Sequence, residues 1–139
     1  MNTLATPLLA TSALVIFVFG AVHLLMTFRS PKFFPRDAAL HMRLKEVSPI
    51  ISGETTMWKA WVGFNASHSF GAMLFGLVYG YLALVQSRVL WDSLFLLCVG
   101  LLFLVGYAIL GWRYWFSLPF RGIAVATGLY VFSLFARWA

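Results

Sequence analysis

The chain has 139 residues, enough for one domain, and is 62% hydrophobic but only 10% charged, with a mean hydropathy of +0.89. That balance excludes an ordinary soluble domain, which at this size has too little interior to hide so much apolar surface. The net charge of +6 does not point to nucleic acid, because the basic residues form no groove-binding face and instead follow a membrane pattern.

Residues 5–28, 60–87, 93–112 and 122–136 carry no Asp, Glu, Lys or Arg. A helix needs about 20 residues to cross a bilayer, so four spans are expected, at about 5–28, 58–86, 91–112 and 118–137. Arg121 snorkels to complete the last. Residues 1–139 then form a single transmembrane domain of class all-α. The expected fold is an integral membrane four-helix bundle with a short interfacial amphipathic helix between spans one and two.

Span one reads as a retained span, not a cleavable signal peptide, since it lacks a charged start and is followed by Arg29 and Lys32. Gly20, His23 and Thr27 share one of its faces. Pro31 and Pro35 break the helix and predict an extended exit into the 29–57 loop. Asp37 is placed to cap a helix through about Val47. There Leu40, Leu44 and Val47 make an apolar stripe, while His41, Lys45 and Glu46 lie on the other face. Such a helix lies on the membrane with its basic residues near anionic lipid. Ser48-Pro49 ends it, and Thr55 or Thr56 starts span two.

Span two is the unusual one. Asn65, Ser69, Ala72, Gly76 and Gly80 fall on one face at 100° per residue. Gly63, Ser67 and Gly71 form a second stripe, with His68 between the two. Missing side chains let backbones approach, so both faces are expected to pack and span two to be central. On span three, Gly100, Tyr107 and Gly111 align, and Asp92 is placed to cap. Arg113-Tyr114-Trp115-Phe116 forms a tight hairpin; Ser117 is the expected cap of span four and Pro119 lies in its first turn. Ala124 and Gly128 offer a small-residue contact there. Trp58, Trp61, Trp91, Trp112, Trp115 and Trp138 sit near span ends, where amphipathic rings favour headgroups. Cys98, the single cysteine, excludes an internal disulfide and a Cys-based metal cluster, and reads as a buried small hydrophobe.

Four spans put both termini on one side. Arg29, Lys32, Arg36, Arg43, Lys45, Lys59, Arg113 and Arg121 lie on the loop side, but only Arg88 and Arg137 on the terminal side. The positive-inside rule makes the long loop cytoplasmic and both termini external. His23 then lies roughly 9 Å from Arg29 along its helix and His68 roughly 13–14 Å from Lys59. Both histidines occupy the cytoplasmic half of the membrane, where facing helices bring His23 towards Asn65, His68 and Ser69.

Polar groups at that depth are costly and face a partner helix, a cavity or a ligand. Three readings fit them. In the first, Asn65, Ser67, Ser69 and both histidines hydrogen-bond between helices and fix one register. In the second, His23 and His68 are axial ligands of haem b. A non-haem metal is not expected, for it wants three or four protein ligands. In the third, His23, Asn65, His68 and Ser69 hold the polar head of a lipophilic molecule such as a quinone or lipid, with Phe64, Phe70 and Phe75 around its apolar part. The spans hold no acid–base pair of carboxylates and no serine with both an obvious base and an orienter, so catalysis would be a further step beyond binding.

The runs Arg29-Ser-Pro-Lys-Phe-Phe-Pro-Arg-Asp37, Thr55-Thr-Met-Trp58 and Gly63-Phe-Asn-Ala-Ser-His-Ser69 resemble an uncharacterised family of small bacterial four-helix integral membrane proteins. That resemblance implies a bacterial inner-membrane protein and carries over no catalytic residue. The chain is also similar in length, span number and basic loop to the membrane-associated eicosanoid and glutathione metabolism family. That family's Arg-x-x-x-Asn-x-x-Glu motif reads Trp61, Asn65 and His68 here, so the asparagine alone is kept, and Arg113 before Tyr114 parallels a later arginine. This second likeness implies a shared fold, trimeric assembly and, at most, glutathione-dependent chemistry.

The expected role is an accessory or scaffold subunit that packs against other membrane proteins or its own copies in the lipid bilayer, with no nucleic-acid partner. The alternative is a lipophilic-ligand or haem-binding bundle using His23 and His68.

Overall fold

The computed structural model describes residues 4–138; the side chain of Trp138, expected at a span end, lies outside the described residues. Among these residues the helices are α1 (Ala5–Arg29), α2 (Ala38–Glu46), α3 (Met57–Leu84), α4 (Ser87–Asp92), α5 (Leu94–Tyr114) and α6 (Ser117–Trp138), with a 3-10 turn at Pro31–Phe33. The helices α1, α3, α5 and α6 are long and apolar enough to cross a membrane. The protein is an all-α, multi-pass membrane bundle. At 28 residues, α3 is about 42 Å long, so its ends pass beyond a hydrocarbon core of about 30 Å.

The helix starts follow side-chain chemistry. Asp37 Oδ1 accepts the amides of Ala39 (2.8 Å) and Leu40 (3.2 Å), and Thr56 Oγ1 accepts that of Lys59 (3.3 Å). These two caps are as expected. Others differ. Ser93, not Asp92, caps α5 by accepting from Leu96 N at 3.3 Å, while the Asp92 carboxylate turns to Arg137 at 3.4 Å. Ser117 is already the first residue of α6. The exit from α1 is a 3-10 turn, capped by Ser30, before the chain extends at Phe34.

The larger departure is α4. Hydropathy alone starts span three at about 91, but a separate turn of helix occupies Ser87–Asp92 and α5 begins at Leu94. Span two ends close to its expected bound, with Val85 N still bonded to Tyr81 O at 2.8 Å. Leu90 and Trp91 are buried there. The indole N–H of Trp91 donates to Thr6 Oγ1 at 3.4 Å. Arg137 donates to the Trp91 carbonyl and lies over its ring, 5.4 Å from the centroid. Trp91 is therefore a core residue and not a headgroup ring, because its polar N–H finds a protein partner. Cys98 is corrected the other way: it is exposed. In a bundle surrounded by lipid, a small apolar side chain gains little by pointing inward.

The chain divides into two compact units, Met1–Phe19 with Ala72–Ala139, and Gly20–Gly71. The first holds the buried core, including Leu9, Ile16, Phe75, Tyr79, Leu104 and Tyr130. A run of rings passes through it. Tyr130 meets Tyr79 edge-on at 6.2 Å, Tyr79 stacks on Phe75 at 4.5 Å, and Phe75 on Phe103 at 4.5 Å. Phe103 then stacks on Tyr107 at 4.3 Å. Two of its phenols reach α5, Tyr79 Oη donating to Leu96 O (2.7 Å) and Tyr130 Oη to Leu97 O (3.0 Å). Ser12 Oγ donates across to Ala126 O at 2.7 Å, joining α1 to α6.

Three glycines make this packing possible: Gly76, Gly100 and Gly122, the last against the ring of Phe19. A Cβ on Gly76 would stand 2.5 Å from Phe17 Cβ and 2.7 Å from the Ala13 carbonyl oxygen. One on Gly100 would meet the Tyr130 hydroxyl and lie 2.6 Å from Tyr79 Cε1. Gly106 and Gly128, by contrast, have nothing within 4 Å of such a Cβ, so the expected Ala124–Gly128 contact of span four is not made within the described chain.

In the second unit, His41 lies between Phe34 and Trp58, 4.5 Å from each ring, and those two rings are 5.0 Å apart. This cluster ties α2 to the first turn of α3. The face of α2 that carries His41, read from sequence as its polar side, thus meets protein, while Leu40 remains exposed.

Overpacking a fitted site costs about 1–3 kcal/mol. Gly76→Ala and Gly100→Ala should each destabilise by that order in reversible unfolding from mixed micelles, and Gly106→Ala and Gly128→Ala by no more than about 0.5 kcal/mol. Equal effects at all four positions would contradict this packing.

Candidate functional site

The polar residues of spans one and two meet inside the Gly20–Gly71 unit. Asn65 is the hub. Its Nδ2 donates to the carbonyl of Trp61, one turn earlier on α3, at 2.8 Å. That orientation leaves Oδ1 facing α1, where His23 Nε2 donates to it at 2.9 Å. The imidazole proton therefore sits on Nε2, since the amide oxygen can only accept. Residues forty-two positions apart are joined by one hydrogen bond between two helices.

The rings around His23 complete the cluster. His68 presents its ring edge-to-face, centroids 5.3 Å apart at 70°. Phe33, from the 3-10 turn, approaches His23 to 4.5 Å, and its carbonyl accepts the indole N–H of Trp61 at 3.1 Å. The Pro-bounded turn after α1 is thereby fastened to α3 at the same level as the histidines. Sequence reasoning brought His23, Asn65, His68 and Ser69 together but missed Trp61 and Phe33. Trp61 stands four residues before Asn65, which places it on the right face; only the folded turn shows that Phe33 reaches it.

The hydroxyls close on their own helices. Ser69, fully buried, donates to Asn65 O at 2.8 Å. Ser67 is exposed and donates to Phe64 O at 3.1 Å. Thr27 donates to His23 O at 2.8 Å. Such back-bonding satisfies a hydroxyl in hydrocarbon without a second helix. It also occupies the proton that a nucleophilic serine would have to pass to a base.

The two small-residue stripes of span two have different surroundings. Gly76 is buried against Phe17 and Ala13, as described above, and a Cβ on Gly80 would reach Ala13 Cβ only at 4.0 Å. Gly63 is exposed, with nothing within 4 Å of a Cβ, and Ser67 is exposed beside it. Gly71 is half-buried.

Two imidazoles that bind one haem iron on opposite sides hold their ring centres roughly 6 Å apart and aim both rings at the metal, given metal–nitrogen bonds of about 2.0–2.1 Å. His23 and His68 are closer, at 5.3 Å, and perpendicular in contact; His23 Nε2 is also taken by Asn65. The pair does not fit bis-histidine haem in this arrangement. Among the described residues no three His, Cys, Asp or Glu side chains are grouped to hold a metal ion. Comparison with protein-family models, with curated proteins and with solved structures finds no match for this chain.

Interhelical hydrogen bonds in membranes average about 0.6 kcal/mol and reach about 1.7. Asn65→Leu should lose stability within that range, because it strands the His23 N–H. Ser67→Ala, exposed and bonded only to its own helix, should change it by less than about 0.5 kcal/mol. Unfolding titrations in mixed micelles measure both, and a reversed order would refute the hub role of Asn65.

Proposed function

We propose that this chain is an accessory or scaffold subunit of a bacterial inner membrane, packing sideways against other membrane proteins or further copies of itself. The observation that carries the reading is a set of unused small-residue notches on the outside of the spans. At positions 63 on α3, 106 on α5 and 128 on α6, nothing beyond the glycine's own stretch of helix comes within 4 Å of where a Cβ would stand. Ser67 and Ala124 lie exposed one turn from the first and last of them. In lipid, where helix association draws on close backbone approach, such notches suit a neighbouring helix. Large exposed side chains flank them, among them Phe64, Phe70, Phe132 and Phe135.

The polar cluster supports the same reading from within. His23, Asn65, Ser67 and Ser69 each spend a hydrogen bond on the chain itself. Their arrangement joins α1 to α3 through His23 and Asn65 and, among the described residues, assembles no nucleophile with its base.

The orientation belongs to this proposal. Eight Lys and Arg residues on the loop side against two on the terminal side favour a cytoplasmic 29–57 loop and external termini.

Native mass spectrometry of the protein extracted from its own membrane in mild detergent tests the role. A species heavier than one chain is expected, and Gly63→Leu or Gly128→Leu should reduce it while the monomer stays folded. A lone monomer carrying no protein partner would overturn the proposal. For orientation, Glu54→Cys in a Cys98→Ala background should react with an impermeant maleimide only after the cells are opened; labelling of intact spheroplasts would reverse the assignment.

A further inference from the structure

Among the described residues, the most exposed large apolar side chains are not on a span. They are Ile50 and Ile51, at 109% and 92% of full exposure. Both sit at the centre of a tight turn, closed by Ser52 N donating to Pro49 O at 3.2 Å. Turn centres ordinarily carry Gly, Asn, Asp or Ser. Two adjacent β-branched hydrophobes there are the opposite of what water favours.

The turn is built, not frayed. At its base Met57 N donates to Val47 O at 2.8 Å, joining the end of α2 to the start of α3. Within it Glu54 N donates to Ser52 Oγ at 3.1 Å, and Thr56 caps α3. The loop therefore holds Ile50 and Ile51 out on a pinned frame.

Lipid is the occupant that the surroundings favour. Met57 opens a helix long and apolar enough to cross a membrane, which sets the base of the loop near the bilayer boundary when that helix spans. From Met57 back to Ile51 the chain reaches at most about 20 Å, and the closed turn shortens that reach. The local charge is complementary to anionic headgroups. Arg36, Arg43, Lys45 and Lys59 are all exposed around the loop. Of the nearby acids, Asp37 is spent on capping α2 and Glu46 on Arg43, which leaves Arg36, Lys45 and Lys59 against one remaining exposed carboxylate, that of Glu54. Leu40 and Met42 of α2, at 48% and 58% exposure, add apolar surface to the same segment.

We propose that the turn at 49–52 is a membrane-anchoring tip. Ile50 and Ile51 insert at the acyl–headgroup boundary of the leaflet in which α3 begins, and Lys45 and Lys59 lie at the lipid phosphates. Interfacial segments of this kind bury their apolar side about 5–10 Å deep. The tip attaches the loop to the leaflet between spans one and two.

The test uses the full chain in a Cys98→Ala background, reconstituted in vesicles of phosphatidylethanolamine and phosphatidylglycerol. A nitroxide is attached to Ile50→Cys, Ile51→Cys or, as control for the label itself, Glu54→Cys. Power-saturation electron paramagnetic resonance then compares contact with oxygen, which concentrates in lipid, and with a water-soluble nickel complex. The expected result is an oxygen-to-nickel ratio several-fold higher at 50 and 51 than at 54. Replacing phosphatidylglycerol by phosphatidylcholine should lower the ratio at 50 and 51. Nickel contact at 50 and 51 equal to that at 54 would overturn the proposal. So would exclusion of both agents from 50 and 51, which would mean that protein covers the tip. The substituted positions are exposed and spend no side-chain hydrogen bond on the fold, so a folded sample is expected in each case.

Discussion

A hydrocarbon solvent offers a polar atom nothing to bond to, and nearly every choice in this structure answers that constraint. An unpaired amide or hydroxyl in such a medium costs several kcal/mol by transfer measurements, of order 4–8 into cyclohexane. The spans nevertheless hold serines, threonines, tyrosines, an asparagine and two histidines. The chain meets the cost in two ways. Thr11, Thr27, Ser69 and Thr127 return their hydroxyls to the carbonyl one turn back. Ser12, Tyr79, Tyr130 and His23 instead reach a second helix.

The second group makes a particular fold out of four greasy helices. Dispersion alone discriminates weakly among the ways such helices can pack. A hydrogen bond between helices fails if either helix slides by a turn, so each one specifies a register. In one unit the specifying bonds run from Ser12 to Ala126 and from Tyr79 and Tyr130 to the first turn of α5. Gly100 admits the two phenol rings there. In the other, His23 and Asn65 set α1 against α3, and Trp61 draws the following turn onto the same face.

Much of this was legible in the sequence, for reasons that differ by element. The spans stand out because charge is absent from long stretches. The His23–Asn65 meeting could be anticipated because depth from Arg29 and Lys59, together with helical facing, restricts which residues can touch. Caps such as Asp37 and Thr56 are local and follow from one side chain and its next turn. The misses are tertiary. That a separate helix, α4, stands where hydropathy starts span three goes with Trp91 finding Thr6 and Arg137, which hydropathy does not register. Cys98 reads as buried only by a rule for water-soluble cores, and in a membrane that rule loses its force. The small-residue stripes could be read, but not which were used: Gly76 closes on α1 while Gly63 and Gly128 stay open.

The His23–Asn65 hydrogen bond acts as a structural lock between α1 and α3. The most direct measurement is a double-mutant cycle of His23→Leu, Asn65→Leu and the pair, read by reversible unfolding in mixed micelles. A lock predicts non-additivity: the double variant, with neither group stranded, is less destabilised than the sum of the singles, with a coupling of about 0.6–1.7 kcal/mol. Strictly additive effects, or singles of unchanged stability that each lose a bound small molecule, would contradict it.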